Sequence, residues 1–378
     1  MDATGRHGGV IQPLRVKQAR ELHRLTQVGL VREVPDLTQP RLSDIESGRA
    51  SISSADIAVA TLAAVTGVTV DWLSKVPSPG LDGLSPHFRA RSRTTESTKA
   101  AGRAWANLVN EAHEVLADRV RALPVRIEAL PGTDPQMAAR LTRRSLGFNA
   151  LEPLPYLILA IERMGVRVLG LPWNADTVDA FCAWAGPIPT IALASNVPGD
   201  RLRWTVAHEL AHLILHRDAM PGKQAEVEAD AFAAELLTPI DAIRQQMPAH
   251  PTLQTLTMMK SQWRVSIKSL VRRARELGVV DQERATSLYR QISARGWNKA
   301  EPGYVPIEKP RALKKKVEIA IPGGHRELFA AEMGWSLELA DMVLDQHASA
   351  DDLPSGADSF DPFAGSVVVP LMGRQKRF

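Results

Sequence analysis

Apolar positions recur every three or four residues through most of the chain, a period that predicts helices. The first stretch runs over 14–25, and Thr26 can cap the next helix. Pro35 and Asp36 break it. Thr38 then caps a third helix running through Glu46, with Pro40 tolerated in its first turn and Gly48 stopping it. Residues 54–66 and 69–75 predict two further helices, and the Pro-, Ser- and Gly-rich stretch 76–86 reads as a linker. Residues 98–122 form a long amphipathic helix, and 135–146 and 153–164 are helical. The pattern then changes. VRVL at 166–169 predicts a strand, and 178–184 with 190–195 predicts a hairpin around GPIP. Helical spacing returns at 199–216 and 223–237, then at 252–262 and 266–277 across a short turn. Pro, Gly and Lys dominate from 297 to 324. A last helical stretch, 325–347, precedes a polar tail. The expected fold class is α+β and mostly helical: an N-terminal helical unit, a middle domain with one small sheet, and a helical C-terminal region.

The chain has 378 residues, which suggests two or three domains, and its hydrophobic share of 44% excludes wholesale disorder. No apolar run approaches the ~18–20 residues that span a bilayer, so no membrane role is expected. The first residues lack the apolar stretch of a secretory signal, and the single cysteine, Cys182, can form no intramolecular disulfide. Together these point to the cytoplasm. Any metal would have to be held by histidines and carboxylates. Residues 151–240 carry 6 basic and 11 acidic side chains, whereas 241–316 carry 16 and 6. A basic block of that kind fits either a nucleic-acid surface or a solvated, Arg-rich helical surface, and electrostatic docking on the acidic block that precedes it is a further expectation.

The acidic block holds the candidate chemistry. HELAH at 208–212 lies in the helical stretch RWTVAHELAHLILH. Residues four apart share one helical face, so His208 and His212 can grip one zinc ion, with Glu209 beside them to take a proton from the attacking water. The bland alternative is a buried helix with two hydrogen-bonded histidines. The following segment, QAEVEADAFAAELLTP, weakens that alternative. Glu226 and Asp230 are four apart, and a helical hairpin would bring Glu226 in as third ligand, with Asp230 accepting a hydrogen bond from a ligand imidazole. Three protein ligands leave the open position that catalysis needs. His216, four residues after His212, competes with Glu226; a straight helix would carry it a turn too far, which favours a role capping the helix or lining the cleft. Glu228 and Glu235 fall on other faces and read as solvated. Tyr156, Tyr289 and Tyr304 are the three tyrosines that could stabilise an oxyanion, and the sequence places none of them at the cleft.

VAHELAHLILH followed by EVEADAFAAELLTP resembles the ImmA/IrrE family of metallo-endopeptidases. MAARLTRRSLGF, LPYLILAIERMGVRVL and the hairpin before RWTVAHE also fit, so the resemblance covers roughly residues 135–240. It implies a zincin-like fold and a gluzincin-like site: Zn2+ held by His208, His212 and Glu226, with Glu209 as catalytic base. Asp230 stands where the family often has Asn, which keeps the outer role and adds a negative charge. The implied substrate is a protein, such as a repressor or antitoxin.

LHRLTQVGLVREVPDLTQPRLSDIESGRASIS resembles a helix-turn-helix of the Xre/Cro repressor type. By that resemblance the helix over 38–46 enters the major groove of operator DNA. Gln39, Arg41 and Ser43 would face base edges, Thr38 and Arg49 would contact phosphate, and Leu42 and Ile45 would pack inward. The turn Pro35–Leu37 departs from the family, which usually has a glycine and one residue fewer. A second helix–turn–helix shape at 252–278 reads first as a structural element packed on the peptidase.

The expected domains are therefore 1–77, helix-turn-helix; 78–130, linker and long helix; 131–250, zinc peptidase; 251–300, basic helical domain; and 301–378, a C-terminal region with one helical stretch and a tail. The function expected is a DNA-binding regulator fused to a zinc endopeptidase. The alternative is an antitoxin-like autorepressor of a toxin–antitoxin operon with a structural or vestigial metal site. Double-stranded DNA and a protein substrate or toxin are the expected partners, with a homodimer among the expected states. In the acidic tail, the apolar piece Val367–Leu371 is a candidate to lie along the active-site hairpin as a pseudo-substrate.

Overall fold

A computed structural model of the protein describes residues 9–78, 87–88, 95–120, 122–173, 179–217, 222–349 and 352. The tail piece Val367–Leu371 lies outside the described residues. The chain is mostly helical around one small sheet, an α+β architecture. Among the described residues no helix is long and apolar enough to cross a membrane.

The N-terminal unit comprises α1 (Pro13–Leu22), α2 (Gln27–Glu33), α3 (Gln39–Glu46), α4 (Ile57–Thr66) and α5 (Val70–Ser74). Thr26, Asp56 and Thr69 cap α2, α4 and α5 by accepting from backbone N–H groups one turn in. Thr38 sits at the N-cap of α3, but its side chain makes no capping bond, which corrects the capping role expected for it. Pro40 in the first turn already removes one of the donors that a cap would satisfy. The unit closes on Leu30, Leu42, Ile45, Leu62 and Trp72.

The long helix α6 (Glu96–Val115) joins this unit to the sheet. Arg15 of α1, fully buried, stacks over Trp72 at 4.2 Å and forms a bidentate pair with Glu111 of α6 at 2.5 and 2.6 Å. On the other side of α6, Asn110 accepts from Arg167 at 2.6 Å. The next helices are α7 (Pro135–Ser145) and α8 (Leu157–Arg163).

The sheet comprises β1 (His87–Phe88), β2 (Arg167–Gly170), β3 (Ala180–Ala185) and β4 (Ile188–Leu193), in the order β1-β3-β4-β2. β3 and β4 form the expected hairpin, and β2 lies parallel to β4, as a crossover connection requires. β2, the inner part of β3 and most of β4 are buried, which matches their short, near-continuous apolar runs.

On this sheet packs α9 (Gly199–Leu215), and against α9 lies α10 (Lys223–Leu237). The turn into α9 is crowded. A Cβ on Gly199 would come within 2.3 Å of the Val305 carbonyl oxygen and 2.5 Å of that of Pro306, so only glycine lets the 305–306 strap cross there. Then follow α11 (Ile240–Gln246), α12 (Leu253–Trp263), α13 (Ile267–Glu276), α14 (Gln282–Ala294), α15 (Ala312–Ala320), α16 (Arg326–Met333) and α17 (Leu337–Leu344).

Three sequence expectations need correcting here. The stretch 325–347 is two helices, because Gly334 at φ 72° ends α16 in the left-handed region and Ser336 caps α17. The Lys-rich stretch before 324 contains α15, whose Lys316 is buried and donates to the His113 carbonyl. Glu235 is buried rather than solvated, since α7 and α13 bring Arg140 and Arg273 to its two oxygens at 2.9 and 3.0 Å. Part of the basic block thus docks on the acidic one: Arg273 on Glu235, and Lys260 on Asp200 at 2.5 Å. The α16–α17 pair returns to the N-terminal unit, where Val68 bridges Trp335 and the Ser336 N–H donates to the Gly67 carbonyl at 2.7 Å.

Candidate metal centre

α9 carries Val206, Leu210, Leu213 and Ile214 into the core, so His208, Glu209 and His212 are themselves buried. α10 runs beside α9 and places Glu226, half-exposed, over the two imidazoles. The His208 and His212 Nε2 atoms are 3.1 Å apart. One Glu226 oxygen lies 3.4 Å from His208 Nε2 and the other 3.3 Å from His212 Nε2. Metal–ligand bonds of about 2.0–2.1 Å set tetrahedral ligand spacings of about 3.3–3.4 Å. The donor set therefore has the size and the chemistry of a small divalent cation site, and zinc fits it: two imidazoles and one carboxylate, with ligand atoms all within 4.8 Å of one another.

The outer partners fix the imidazole tautomers. His208 Nδ1 lies 2.9 Å from Asp230 Oδ1, so it carries the proton, donates to the carboxylate and leaves Nε2 as the ligand atom. His212 Nδ1 lies 3.0 Å from His216 Nδ1, and His216 Nε2 lies 2.8 Å from Glu228 Oε2. Read outward, His212 Nδ1–H donates to His216, whose Nε2–H donates to Glu228. The His216 bond holds the Glu228 carboxyl below its ordinary pKa, helped by a hydrogen bond from Gln224. His216 therefore stands behind His212 and outside the candidate ligand set. Glu228, expected to be solvated, is the end of this relay. His216 is the C-cap of α9, as expected, but its place behind His212 and that of Glu228 at the end of the relay were not legible in the sequence. His216 leaves the helix at φ −124° and ψ 28°, so helical spacing no longer predicts where it points.

Glu209 is buried on α9 and stands apart from the three ligand donors. Across from it lies Cys182 of β3; burial, followed by the nearby Glu209 carboxylate, pushes its thiol pKa well up. Trp184 of β3 donates to the Leu213 carbonyl at 3.2 Å, and Arg217 stacks over that indole at 4.0 Å, which ties β3 to the end of α9. Of the tyrosines, Tyr156 lies under Arg264, Tyr289 is half-buried and Tyr304 is exposed.

The candidate DNA-contacting residues lie elsewhere, on and around α3. Leu42 and Ile45 face inward; Thr38, Gln39, Arg41 and Arg49 are exposed and Ser43 is partly so. Arg41 pairs with Asp56 at 2.6 Å and Arg49 with Asp44 at 2.8 Å, while Gln39 donates to Gln27. Phosphate contacts by these arginines would have to displace those carboxylates.

Removing one outer partner tests the tautomer argument. Asp230→Ala is expected to weaken zinc binding by about 10–100-fold without unfolding the protein. Competition with a chelator, read beside a thermal melt, measures both.

Residues 161–275 match the Peptidase_M78 family model, the IrrE N-terminal-like domain. The matched stretch runs from the end of α8 to α13 and contains both helices of the centre. It supports a peptidase of the ImmA/IrrE type. No curated protein matches the chain.

Proposed function

We propose, from the peptidase match over 161–275 and the donor set it contains, that the chain is a zinc-dependent endopeptidase joined to a DNA-binding helical unit. The observation that carries this reading is the convergence of His208, His212 and Glu226 beside a buried Glu209. Zinc held there would supply Lewis acidity toward the scissile carbonyl and toward water. Glu209 would take the proton of the attacking water and hand it to the leaving nitrogen. Asp230, His216 and Glu228 would hold the imidazoles in the ligating tautomer. Burial of Glu209 removes competing solvent and strengthens each of these interactions. The proposed substrate is a protein cut at few sites, such as a repressor or antitoxin.

The exposed face of α3 supports the DNA part of the reading, with Thr38, Gln39, Arg41, Ser43 and Arg49 as proposed contacts to a duplex. An antitoxin-like autorepressor remains the competing assignment for the whole chain. One comparison separates them. Cells producing the wild-type protein should show a few new protein N-termini that are missing from cells producing Glu209→Gln. Identical N-terminal profiles, combined with a promoter fragment shifted by both proteins, would favour the autorepressor.

A further inference from the structure

β3 is the strand that faces the centre. It packs along α9, its Cys182 lies near Glu209, and its Trp184 donates to the Leu213 carbonyl. One edge of β3 pairs with β4 along its whole length, from Ala180 opposite Leu193 to Ala185 opposite Ile188. The other edge is where an incoming extended peptide would add a strand, because its main-chain groups point away from the sheet. That edge carries β1, antiparallel, with His87 opposite Cys182 and Phe88 opposite Phe181. β1 belongs to the connection between α5 and α6, which joins the N-terminal unit to the remainder of the chain. The backbone of His87 and Phe88 is therefore set on that edge of β3, and His87 stands opposite Cys182, whose thiol lies near Glu209.

We infer that the chain is its own substrate, cut within this linker at the peptide bond between His87 and Phe88. The inference rests on the endopeptidase reading above. In the step, the oxygen of water bonds to the His87 carbonyl carbon while Glu209 takes a proton from that water. The carbon–nitrogen bond to Phe88 then breaks, Glu209 returns that proton to the Phe88 nitrogen, and the second proton of the water, left on the new carboxyl of His87, follows it to the amine. The products are a carboxylate on His87 and an ammonium on Phe88; no electrons are exchanged with a second reagent. A two-residue strand binds weakly by itself, but a tethered segment meets its site at an effective concentration of order millimolar. Cleavage would end the covalent link between the helix-turn-helix unit and the peptidase. The halves would stay associated through Arg15–Glu111 and the contact of Val68 with Trp335, so the cut is seen only after denaturation.

The test is intact-mass analysis under denaturing conditions of full-length, zinc-loaded protein over time. Fragments 1–87 and 88–378 are expected from the wild type and neither from Glu209→Gln. A second measurement does not depend on turnover. In the uncleaved Glu209→Gln protein, amide hydrogen exchange at whichever of residues 181 and 182 donates to β1 should speed up when His87→Pro and Phe88→Pro are added, because the prolines remove the linker N–H groups that hold the pair closed. A mixed peptide library separates the two readings. If the wild type stays intact yet cuts the library in a Glu209-dependent way, self-cleavage is overturned and the endopeptidase reading stands. If it cuts neither, the endopeptidase reading fails and this inference falls with it. Cleavage at a different bond, or exchange that ignores the prolines at both residue 181 and residue 182, also overturns it.

Discussion

Glu209→Gln is expected to lower peptide-bond hydrolysis by about 10²–10⁴-fold while leaving zinc content and thermal midpoint unchanged. The side chain is nearly the same size, so the buried space beside Cys182 stays filled. Glu209 is not among the three converging ligand donors, so the substitution does not subtract from metal binding. What it removes is the only proton acceptor that α9 places between the two imidazoles in sequence and beside them in the core. An amide can hold water by hydrogen bonds but cannot take its proton at neutral pH. The check pairs elemental analysis with initial rates on a peptide library, each at equal zinc loading. An unchanged rate with full zinc would move the general base to another residue and overturn the assignment of Glu209.

The parts of this molecule that could be read from sequence are those governed by one helix or one hairpin at a time. The pairs 208/212 and 226/230 each obey the four-residue spacing, so each helical face was predictable before either helix had a neighbour. The strand–hairpin order 166–169, 178–184 and 190–195 was legible for the same reason: alternation and turn residues are local. What escaped depends on two elements meeting. Glu235 looks solvated on a helical wheel of α10, and becomes buried because α7 and α13 deliver Arg140 and Arg273 to it. α15 was hidden by its lysines, since Lys316 spends its charge inside the fold. Desolvation there pulls its pKa down to about 8. β1 has two residues, too few to show any period, and is specified by its partner on β3 rather than by its own sequence.

The same limit governs the choice of third ligand, and substitution decides it. Glu226→Ala is expected to reduce zinc affinity by more than the about 10–100-fold expected for loss of an outer partner, because it deletes one of three donors outright. His216→Ala should fall within that smaller range. Its Nδ1 meets the distal nitrogen of His212, so its loss frees His212 to rotate but leaves the donor count intact. His212→Ala should be at least as damaging as Glu226→Ala, since it deletes a buried imidazole donor outright. Each variant is dialysed against a graded series of chelator concentrations, zinc per chain is measured, and a thermal melt without metal verifies that the fold survives. The expected order of loss is His212 and Glu226 first, then Asp230 and His216. If His216→Ala empties the site while Glu226→Ala retains full affinity, the third ligand is the histidine. α10 would then contribute only Asp230 and Glu228 to the centre.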